Sequence, residues 1–263
     1  MSIKRVTAGE IRKRKSEPFA VMTAYDAAFA HIAEAAGIDV LLVGDSLGMV
    51  VLGYNDTTAV DLVDIVRHTG AVARATKRAH IIADLPFGSY QASDADAVRS
   101  AIAAVKAGAS SVKLEGTEAM VPRVRAIVGA GIPVMAHIGV QPQTAALETG
   151  YRKQRDVDAL LRDARAHAAA GAYGLLLEMV DDAAAAEVTA KLPIPTVGIG
   201  AGPSCDGQVL VLHDVLGLYP DPPSFVRQYA DLATIATDAL RHYAEDVRTR
   251  RFPGSAISSV IGR

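Results

Sequence analysis

The sequence predicts an α/β protein that folds as a closed (β/α)8 barrel. Apolar runs rich in Val, Ile and Leu alternate along the chain with Ala-rich stretches of helical length. The runs are apolar on both faces, as parallel strands covered by helices are. The 263 residues suit one barrel, which typically takes about 250, although two smaller domains would also fit. We expect a single barrel domain over residues 1–263, with a short N-terminal helix and a C-terminal helix.

Eight segments have the composition of buried strands, and they are spaced as the βα cadence of a barrel requires. In chain order they are 19–23, 40–44, 80–84, 111–115, 133–137, 174–178, 195–199 and 208–213.

Amphipathic stretches fill the gaps between these strands. Gly37, Gly108 and Gly171 each follow such a stretch at a position suited to a helix C-cap. The predicted helices are 27–36, 60–75, 94–107, 118–129, 157–170 and 182–192, with a terminal helix over 225–248. Residues 139–156 lack periodicity and predict a long loop after the fifth strand, of the kind that often forms a lid or binding element.

Composition excludes several classes of partner. The formal net charge is −2, so no basic stripe is present that would neutralise a nucleic-acid backbone. We interpret the basic residues between positions 4 and 15 as a solvated helix face. No stretch reaches the roughly 18 apolar residues of a membrane span. Cys205 is the single cysteine, so an intrachain disulfide is impossible, and we expect a cytoplasmic protein.

Polar and ionisable side chains stand where the predicted strands end. In a (β/α)8 barrel the carboxyl ends of the strands converge on one pocket, so these groups should face each other although they are distant in sequence. Buried charges are costly unless they pair or bind a metal. The set comprises Asp45 and Ser46 after strand two, Asp84 on strand three, Lys113 and Glu115 on strand four, His137 on strand five and Glu178 on strand six.

Each of these residues also has a structural interpretation. The alternatives are a helix N-cap for Asp45, a turn residue for Asp84, an ion pair between Lys113 and Glu115 on one strand face, a structural hydrogen-bonding group for His137 and a helix-capping surface carboxylate for Glu178. The segment GIGAG at 198–202 lacks the GxGxxG spacing of a dinucleotide site. After strand seven it would either present amides to an anion or form a tight turn.

The residue types at this rim favour one chemistry. Several carboxylates with no cysteine and one histidine suit a hard cation such as Mg²⁺, which leaves coordination positions for water and substrate. A 2-oxo acid chelated there would have its keto oxygen stabilised as the neighbouring carbon loses a proton. Glu178 follows three leucines, and apolar surroundings raise a carboxyl pKa toward the range of a general base.

The sequence resembles the ketopantoate hydroxymethyltransferase family from about residue 22 to residue 217. Several segments match the family in the same order along the chain, which is not expected by chance. They are TAYD (23–26), LVGDSLGM (42–49), ADLPF (83–87), VKLEG (112–116), HIG (137–139), GIGAG (198–202), DGQ (206–208) and HD (213–214).

This resemblance implies a barrel of the phosphoenolpyruvate/pyruvate type, assembled as a homodecamer. The implied activity is transfer of a hydroxymethyl group from 5,10-methylenetetrahydrofolate to 3-methyl-2-oxobutanoate in pantothenate biosynthesis. By resemblance, Glu178 is the proton acceptor. The implied Mg²⁺ ligands are Asp45, Asp84 and Glu115. The implied oxo-acid contacts include Asp45, Ser46, Asp84 and Lys113, to which the rim position adds His137.

One loop departs from the family pattern. The family's usual GGYKVQGR reads TGYRKQRD at 149–156, so Arg155 replaces a flexible glycine. No metal ligand or base is lost, so we expect enolisation chemistry to survive. The altered loop would instead affect folate binding or substrate choice, as in a divergent paralogue.

Two other functions stay open. A carbon–carbon lyase or mutase of the isocitrate lyase and phosphoenolpyruvate mutase kind would share the barrel, the Mg²⁺ and the oxo-acid chelation. A lyase needs a cysteine general acid on a mobile loop, whereas Cys205 follows the turn after strand seven. A non-catalytic oxo-acid-binding paralogue would be favoured by loss of Glu178 or a metal ligand, and neither is lost.

Overall fold

The computed structural model describes residues 4–145, 147 and 150–254 of the chain. The chain divides into two compact units, Met1–Val211 and Leu212–Arg263. Over the described residues, the first unit contains every strand and nine α-helices, and the second contains two α-helices. No helix within these ranges combines the length and hydrophobicity that a membrane span requires. The expectation of a single domain over residues 1–263 stays a prediction.

Eight parallel strands in the described part of the chain form a closed barrel, with the last strand paired back to the first. This confirms the predicted (β/α)8 architecture. The strands are β1 Phe19–Thr23, β2 Val40–Val43, β3 His80–Asp84, β4 Ser111–Glu115, β5 Val134–Gly139, β6 Gly174–Glu178, β7 Thr196–Ile199 and β8 Gly207–Leu210.

Helices connect the strands, and their ends follow local capping rules. Asp26 caps the second helix by accepting a hydrogen bond from the Phe29 backbone N–H at 2.8 Å. Gly108 ends the fifth with φ of +113°, and a Cβ there would lie 2.5 Å from the Cβ of Ala73. The helices are α1 Ala8–Arg12, α2 Ala27–Ala35, α3 Leu47–Val50, α4 Leu62–Ala75, α5 Asp94–Ala107, α6 Val121–Gly129, α7 Pro142–Ala145, α8 Val157–Ala169, α9 Asp182–Lys191, α10 Leu212–Val215 and α11 Leu232–Arg248.

Several predicted bounds differ from the structure, and three of the differences have a clear physical cause. Strand eight ends at Leu210, where its pairing with β1 ends, and residue 213 belongs to the short helix α10. The terminal helix begins at Leu232 because Asp231 caps it by accepting from the Thr234 N–H. The predicted loop 139–156 contains the single-turn helix α7, which is too short to produce a periodic pattern.

The barrel has two apolar layers, as the alternation of side chains along a strand requires. Val40 and Leu42 pack inside the barrel, whereas Leu41 and Val43 pack in the outer layer between strands and helices. Ile11 of α1 is fully buried in the same cluster as the interior residues. The N-terminal helix therefore closes the amino end of the barrel and leaves the carboxyl end for the candidate site.

A buried polar network holds this amino end together. The Nδ1–H of His80 donates to the Val6 carbonyl at 3.0 Å, and Nε2 accepts from the Ser111 hydroxyl at 2.8 Å. The hydroxyl of Tyr173 lies 2.9 Å from the same serine oxygen. These bonds need a neutral imidazole with its proton on Nδ1, and burial accordingly lowers the pKa of His80 to about 4.

We expect His80 to make folding stability sensitive to acid. Its folded pKa lies below the ordinary value of 6.5, so the unfolded chain binds an extra proton between these values. The contribution is therefore complete above about pH 6.5 and is lost as the pH falls toward 4, by roughly 3 kcal/mol in total. Denaturant unfolding at about pH 7 and pH 5 should show a smaller pH dependence in His80→Gln than in the unaltered chain.

The matched control for this experiment is His242→Gln, at an exposed position of α11. It should leave the pH dependence of unfolding unchanged. An equal pH dependence in His80→Gln and the unaltered chain would show that the buried network does not titrate as inferred.

Candidate active site

Because side chains alternate between the two faces of a strand, the predicted site residues of β4 point into the barrel. Val112 and Leu114 of β4 pack in the outer layer, so Ser111, Lys113 and Glu115 of the same strand face the interior. All three are almost fully buried. Within one strand, Ser111 belongs to the network at the amino end and Glu115 lies at the carboxyl end. The polar interior of β4 therefore runs the length of the barrel.

Strand register then brings the groups of neighbouring strands together at the carboxyl end. Asp84 is paired with Lys113 across β3 and β4. Glu115 is paired with His137 across β4 and β5, and Glu178 ends the next strand, paired with Gly139. The predicted convergence of these residues on one rim follows from this register.

Lys113 is the central cation of the cluster. Its Nζ lies 2.8 Å from Oδ1 of Asp84 and 3.4 Å from Nδ1 of His137. Burial by itself would lower the pKa of this lysine, but the carboxylates of Asp84, Asp45 and Glu115 outweigh burial and hold the pKa above its usual value. Lys113 therefore stays protonated, and its ion pair is with Asp84 rather than with Glu115 two residues away.

The acidic groups outnumber this one ammonium. Burial raises the pKa of Asp84 well above its usual value, with Lys113 opposing the rise and Asp45 adding to it. Burial likewise raises the pKa of Glu115 to about 8, again opposed by Lys113 and increased by Asp45. The cluster thus carries more buried carboxyl groups than its lysine can neutralise, which is an environment that favours a further cation.

His137 and Glu178 form the other side of the cluster. His137 Nδ1 lies 3.4 Å from Oε2 of Glu115, and its Nε2 lies 3.5 Å from Oε2 of Glu178. Burial, reinforced by Lys113, lowers the pKa of His137 to about 4, so the ring is neutral near pH 7. Burial raises the pKa of Glu178 to about 7, while 21% of its side-chain surface stays exposed to solvent. Glu178 is thus an accessible carboxyl group that titrates near neutrality.

The hydrogen bonds of the described residues concern two of the structural alternatives, a helix N-cap for Asp45 and a helix-capping carboxylate for Glu178. The side chain of Asp45 accepts from Gln143, and Asp181 rather than Glu178 caps α9. Ser46 is half-buried beside the cluster, with its hydroxyl 2.8 Å from that of Tyr25. Of the seven predicted residues, five gather around Lys113, and Ser46 borders them through its neighbour Asp45.

Sequence reasoning missed Gln143. Its backbone N–H donates to Glu115 Oε1, and its Nε2 donates to Asp45 Oδ2, both at 2.9 Å. The side chain is 1% exposed although it belongs to the predicted loop. The only available signal was its place after strand five, because a single glutamine in a loop has no periodic partner.

Near the end of this loop, Gln154 is bound to the segment that follows Glu178. Gln154 forms an isolated parallel bridge with Val180, in which its N–H donates to the Met179 carbonyl at 2.7 Å. Met179 has φ of +49°, an uncommon backbone conformation for a residue with a side chain. Arg155, the departure from the family pattern, is exposed, and Thr149 lies outside the described residues.

The carboxylate oxygens of the cluster are the type of ligand that a hard divalent cation prefers. Among the described residues no group of three or more His, Cys, Asp or Glu side chains forms a ready-made metal site. Mg²⁺ commonly takes only one or two protein carboxylates, with water and substrate completing its octahedron. Asp45 and Asp84 are adjacent, since the Asp45 N–H lies 3.3 Å from Asp84 Oδ2, and both are buried in an environment with excess negative charge.

The glycine-rich turn and the cysteine take no part in this cluster. Gly200 and Gly202 have positive φ, and a Cβ on Gly202 would lie within 3 Å of Asp182. The segment therefore needs its glycines for a tight turn. Cys205 packs in the outer apolar layer, close to Gly198, rather than at the mouth of the barrel.

A closed (β/α)8 barrel with buried ionisable groups converging at the carboxyl ends of its strands defines the class of (β/α)8-barrel enzymes. The chain belongs to the ketopantoate hydroxymethyltransferase family, whose sequence model matches residues 5–255. It is therefore an enzyme of a hydroxymethyltransferase family.

Curated relatives support the same assignment, and each carries the name 3-methyl-2-oxobutanoate hydroxymethyltransferase. The protein of Aeropyrum pernix is 51% identical over 255 residues, which cover 95% of this chain and 93% of the relative. That of Acidothermus cellulolyticus is 52% identical over 254 residues, with 95% and 94% covered. That of Moorella thermoacetica is 50% identical over 257 residues, with 95% and 96% covered.

Solved structures agree on the fold. Phosphonopyruvate hydrolase in complex with oxalate and Mg²⁺ superposes with a TM-score of 0.64 at 16% identity, covering 97% of this chain and 93% of that one. A 2,3-dimethylmalate lyase of the PEP mutase/isocitrate lyase superfamily gives 0.64 at 20% identity, with 95% and 87% covered. This likeness confirms the predicted barrel type and shows the fold alone.

Proposed function

We propose that the chain transfers a hydroxymethyl group from 5,10-methylenetetrahydrofolate to 3-methyl-2-oxobutanoate, giving 2-dehydropantoate for pantothenate biosynthesis. The observation that carries this proposal is a carboxyl group, Glu178, whose pKa is raised to about 7 beside a buried acidic cluster with one lysine. A base of this pKa is suited to remove a proton from carbon at neutral pH. The names of the curated relatives support 3-methyl-2-oxobutanoate as the acceptor, and the folate donor rests on the resemblance to the family.

Different residues of the cluster would contribute different interactions to binding of the oxo acid. The ammonium of Lys113 attracts the negative substrate, and the neutral ring of His137 contributes hydrogen bonding without adding charge. We assign the oxo-acid contacts to Asp45, Ser46, Asp84, Lys113 and His137. Asp45 and Asp84 would hold Mg²⁺, with Glu115 as the third ligand directly or through water. When bound, this ion would supply positive charge where negative charge develops on the keto oxygen.

The proton transfer belongs to Glu178. Its carboxylate takes the C3 proton of the oxo acid, and the C–H electron pair enters the enolate. C3 then bonds to the methylene carbon of the folate as one of its two C–N bonds breaks, and water bonds to the same carbon as the other breaks. The proton held by Glu178 and one proton of the water end on the two folate nitrogens. The products are 2-dehydropantoate and tetrahydrofolate. The neutral ring of His137 borders this base, with its Nε2 3.5 Å from Oε2 of Glu178.

Turnover with both substrates tests the proposal. With Mg²⁺ present, we expect the C3 proton of 3-methyl-2-oxobutanoate to exchange with solvent deuterium, and we expect methylenetetrahydrofolate to yield 2-dehydropantoate and tetrahydrofolate. Removal of the metal by a chelator should suppress both reactions, because the enolate loses its stabilising charge. NMR follows the exchange, and chromatography follows the two products.

A short series of branched and unbranched 2-oxo acids is the control for substrate choice. If the C3 proton exchanges but no hydroxymethyl group is transferred, the defect would lie in folate binding, and the altered loop at 149–156 would be its cause. Absence of both reactions with every oxo acid would contradict the proposed function. The homodecameric assembly and the cytoplasmic location are parts of the same proposal that rest on family membership.

A further inference from the structure

One buried amide joins the loops that follow four consecutive strands. Gln143 lies on α7, after β5, and its side chain is 1% exposed. It contacts Asp45 after β2, the segment after β3, and Glu115 at the end of β4. The side chain of Gln143 is neither charged nor nucleophilic, so it takes no chemical part in proton transfer.

Every hydrogen-bonding group of this amide is used. Its Nε2 donates to Asp45 Oδ2 at 2.9 Å and to the Leu85 carbonyl at 3.0 Å. Its Oε1 accepts from Gln91 Nε2 at 3.1 Å and from the Tyr90 hydroxyl at 2.9 Å, whose single proton is shared with the Glu115 carbonyl. A primary amide has two N–H donors and two acceptor lone pairs, so the side chain is fully satisfied.

The chemistry of the partners fixes which way the amide points. Asp45 and the Leu85 carbonyl are acceptors, whereas Tyr90 and Gln91 supply donors. A flipped amide would place its oxygen against the Asp45 carboxylate, which is costly in a buried site. The orientation is therefore unique, and through it the orientation of Asp45 is held.

Gln143 also holds the second carboxylate through its backbone. Its N–H donates to Glu115 Oε1 at 2.9 Å, and Tyr90 reaches the Glu115 carbonyl with its hydroxyl at 2.9 Å. Gln143 contacts Oδ2 of Asp45 and Oε1 of Glu115, so Oδ1 of Asp45 and Oε2 of Glu115, which lies 3.4 Å from His137 Nδ1, are the oxygens that could face a cation. A donor that restrains a metal-binding carboxylate in this way contributes to affinity without touching the metal.

We propose that Gln143 is a positioning residue, which orients the carboxylates of Asp45 and Glu115 for a divalent cation and joins them to the loop after β5. The inference rests on the cation site of the proposed function. Gln143→Met keeps a similar side-chain length and the backbone N–H but removes all four side-chain hydrogen bonds. We expect it to weaken the binding of Mn²⁺ by about 10- to 100-fold.

Isothermal titration calorimetry with Mn²⁺ alone, on the full folded chain without substrate, measures this effect. Gln208→Met is the matched control, because the exposed Gln208 donates to the Gly202 carbonyl and contacts neither carboxylate. It should bind Mn²⁺ within about twofold of the unaltered chain, since an exposed hydrogen bond contributes little. A residue with a merely structural role would lower thermal stability and leave the Mn²⁺ affinity of the folded protein unchanged.

The outcomes separate the two proposals. If the unaltered chain binds Mn²⁺ and folded Gln143→Met binds it equally well, the role of Gln143 is overturned and the proposed function stands. If the unaltered chain binds no Mn²⁺, both fall. Should Gln143→Met not fold, Tyr90→Phe decides, because it removes one hydroxyl. An affinity about fivefold weaker supports the inference, and an unchanged affinity overturns it.

Discussion

Replacing Glu178 by glutamine should slow C3 proton exchange of 3-methyl-2-oxobutanoate by about 10²- to 10⁴-fold, while leaving binding of the oxo acid nearly unchanged. Glutamine keeps the size of the side chain but cannot accept the proton. The binding groups lie on other strands, around Lys113, so they are not altered by the substitution. NMR exchange in deuterium oxide measures the rate, and calorimetric titration measures oxo-acid binding.

The pH profile identifies the same group. Only the carboxylate form of Glu178 accepts a proton, and its pKa is raised to about 7. Exchange by the unaltered chain should therefore rise with pH through about 7 and level off above it. The pKa of His137 is about 4, so this ring stays neutral throughout that range and adds no inflection. The profile is measured with saturating Mg²⁺, because a bound cation would keep Glu115, whose pKa burial raises to about 8, ionised over the same range. The residual exchange of Glu178→Gln should lack the inflection.

The control for this substitution is Glu187→Gln on α9, where the carboxylate is exposed and paired with Lys191. Its exchange rate and pH profile should match those of the unaltered chain. Exchange that is undiminished in Glu178→Gln would remove Glu178 from the role of base and leave the proton acceptor to be found elsewhere in the cluster.

Replacing Lys113 by methionine should destabilise the folded chain by about 3–5 kcal/mol at neutral pH, because a buried ion pair loses one partner. Asp84 and Glu115 would then face each other and Asp45 without a counter-charge. The variant should also lose oxo-acid binding, since the ammonium that attracts the anion is gone. Denaturant unfolding measures the first effect and calorimetric titration the second.

The sign of the pH dependence distinguishes this cause from lost packing. Without Lys113 the folded carboxyl groups bind protons more tightly than in the unfolded chain, so the variant should become more stable as the pH falls below neutrality. Lys191→Met is the control, because its ion pair with Glu187 is exposed and should contribute at most about 1 kcal/mol. A loss in Lys113→Met no larger than in this control would contradict the inferred charge balance.

Much of the fold was predictable because its signals are local. Strands β1, β3, β4 and β6 have the predicted bounds. An apolar run bounded by polar residues indicates a buried strand without any knowledge of its neighbours. The short helix α7, the end of strand eight and the start of the terminal helix were not predictable. Pairing with a neighbouring strand and a side-chain cap set those ends, and neither is visible as a period in the sequence.

The candidate site divides in the same way. The sequence by itself determined that acidic, basic and imidazole groups end successive parallel strands, and parallel strands in a barrel bring their carboxyl ends to one rim. Only the tertiary structure decided that Lys113 pairs with Asp84, that the pKa of Glu178 lies near 7, and that Gln143 orients two carboxylates. The physical reason is that register and burial set ion pairs, pKa values and buried hydrogen bonds, and these depend on residues that are far apart along the chain.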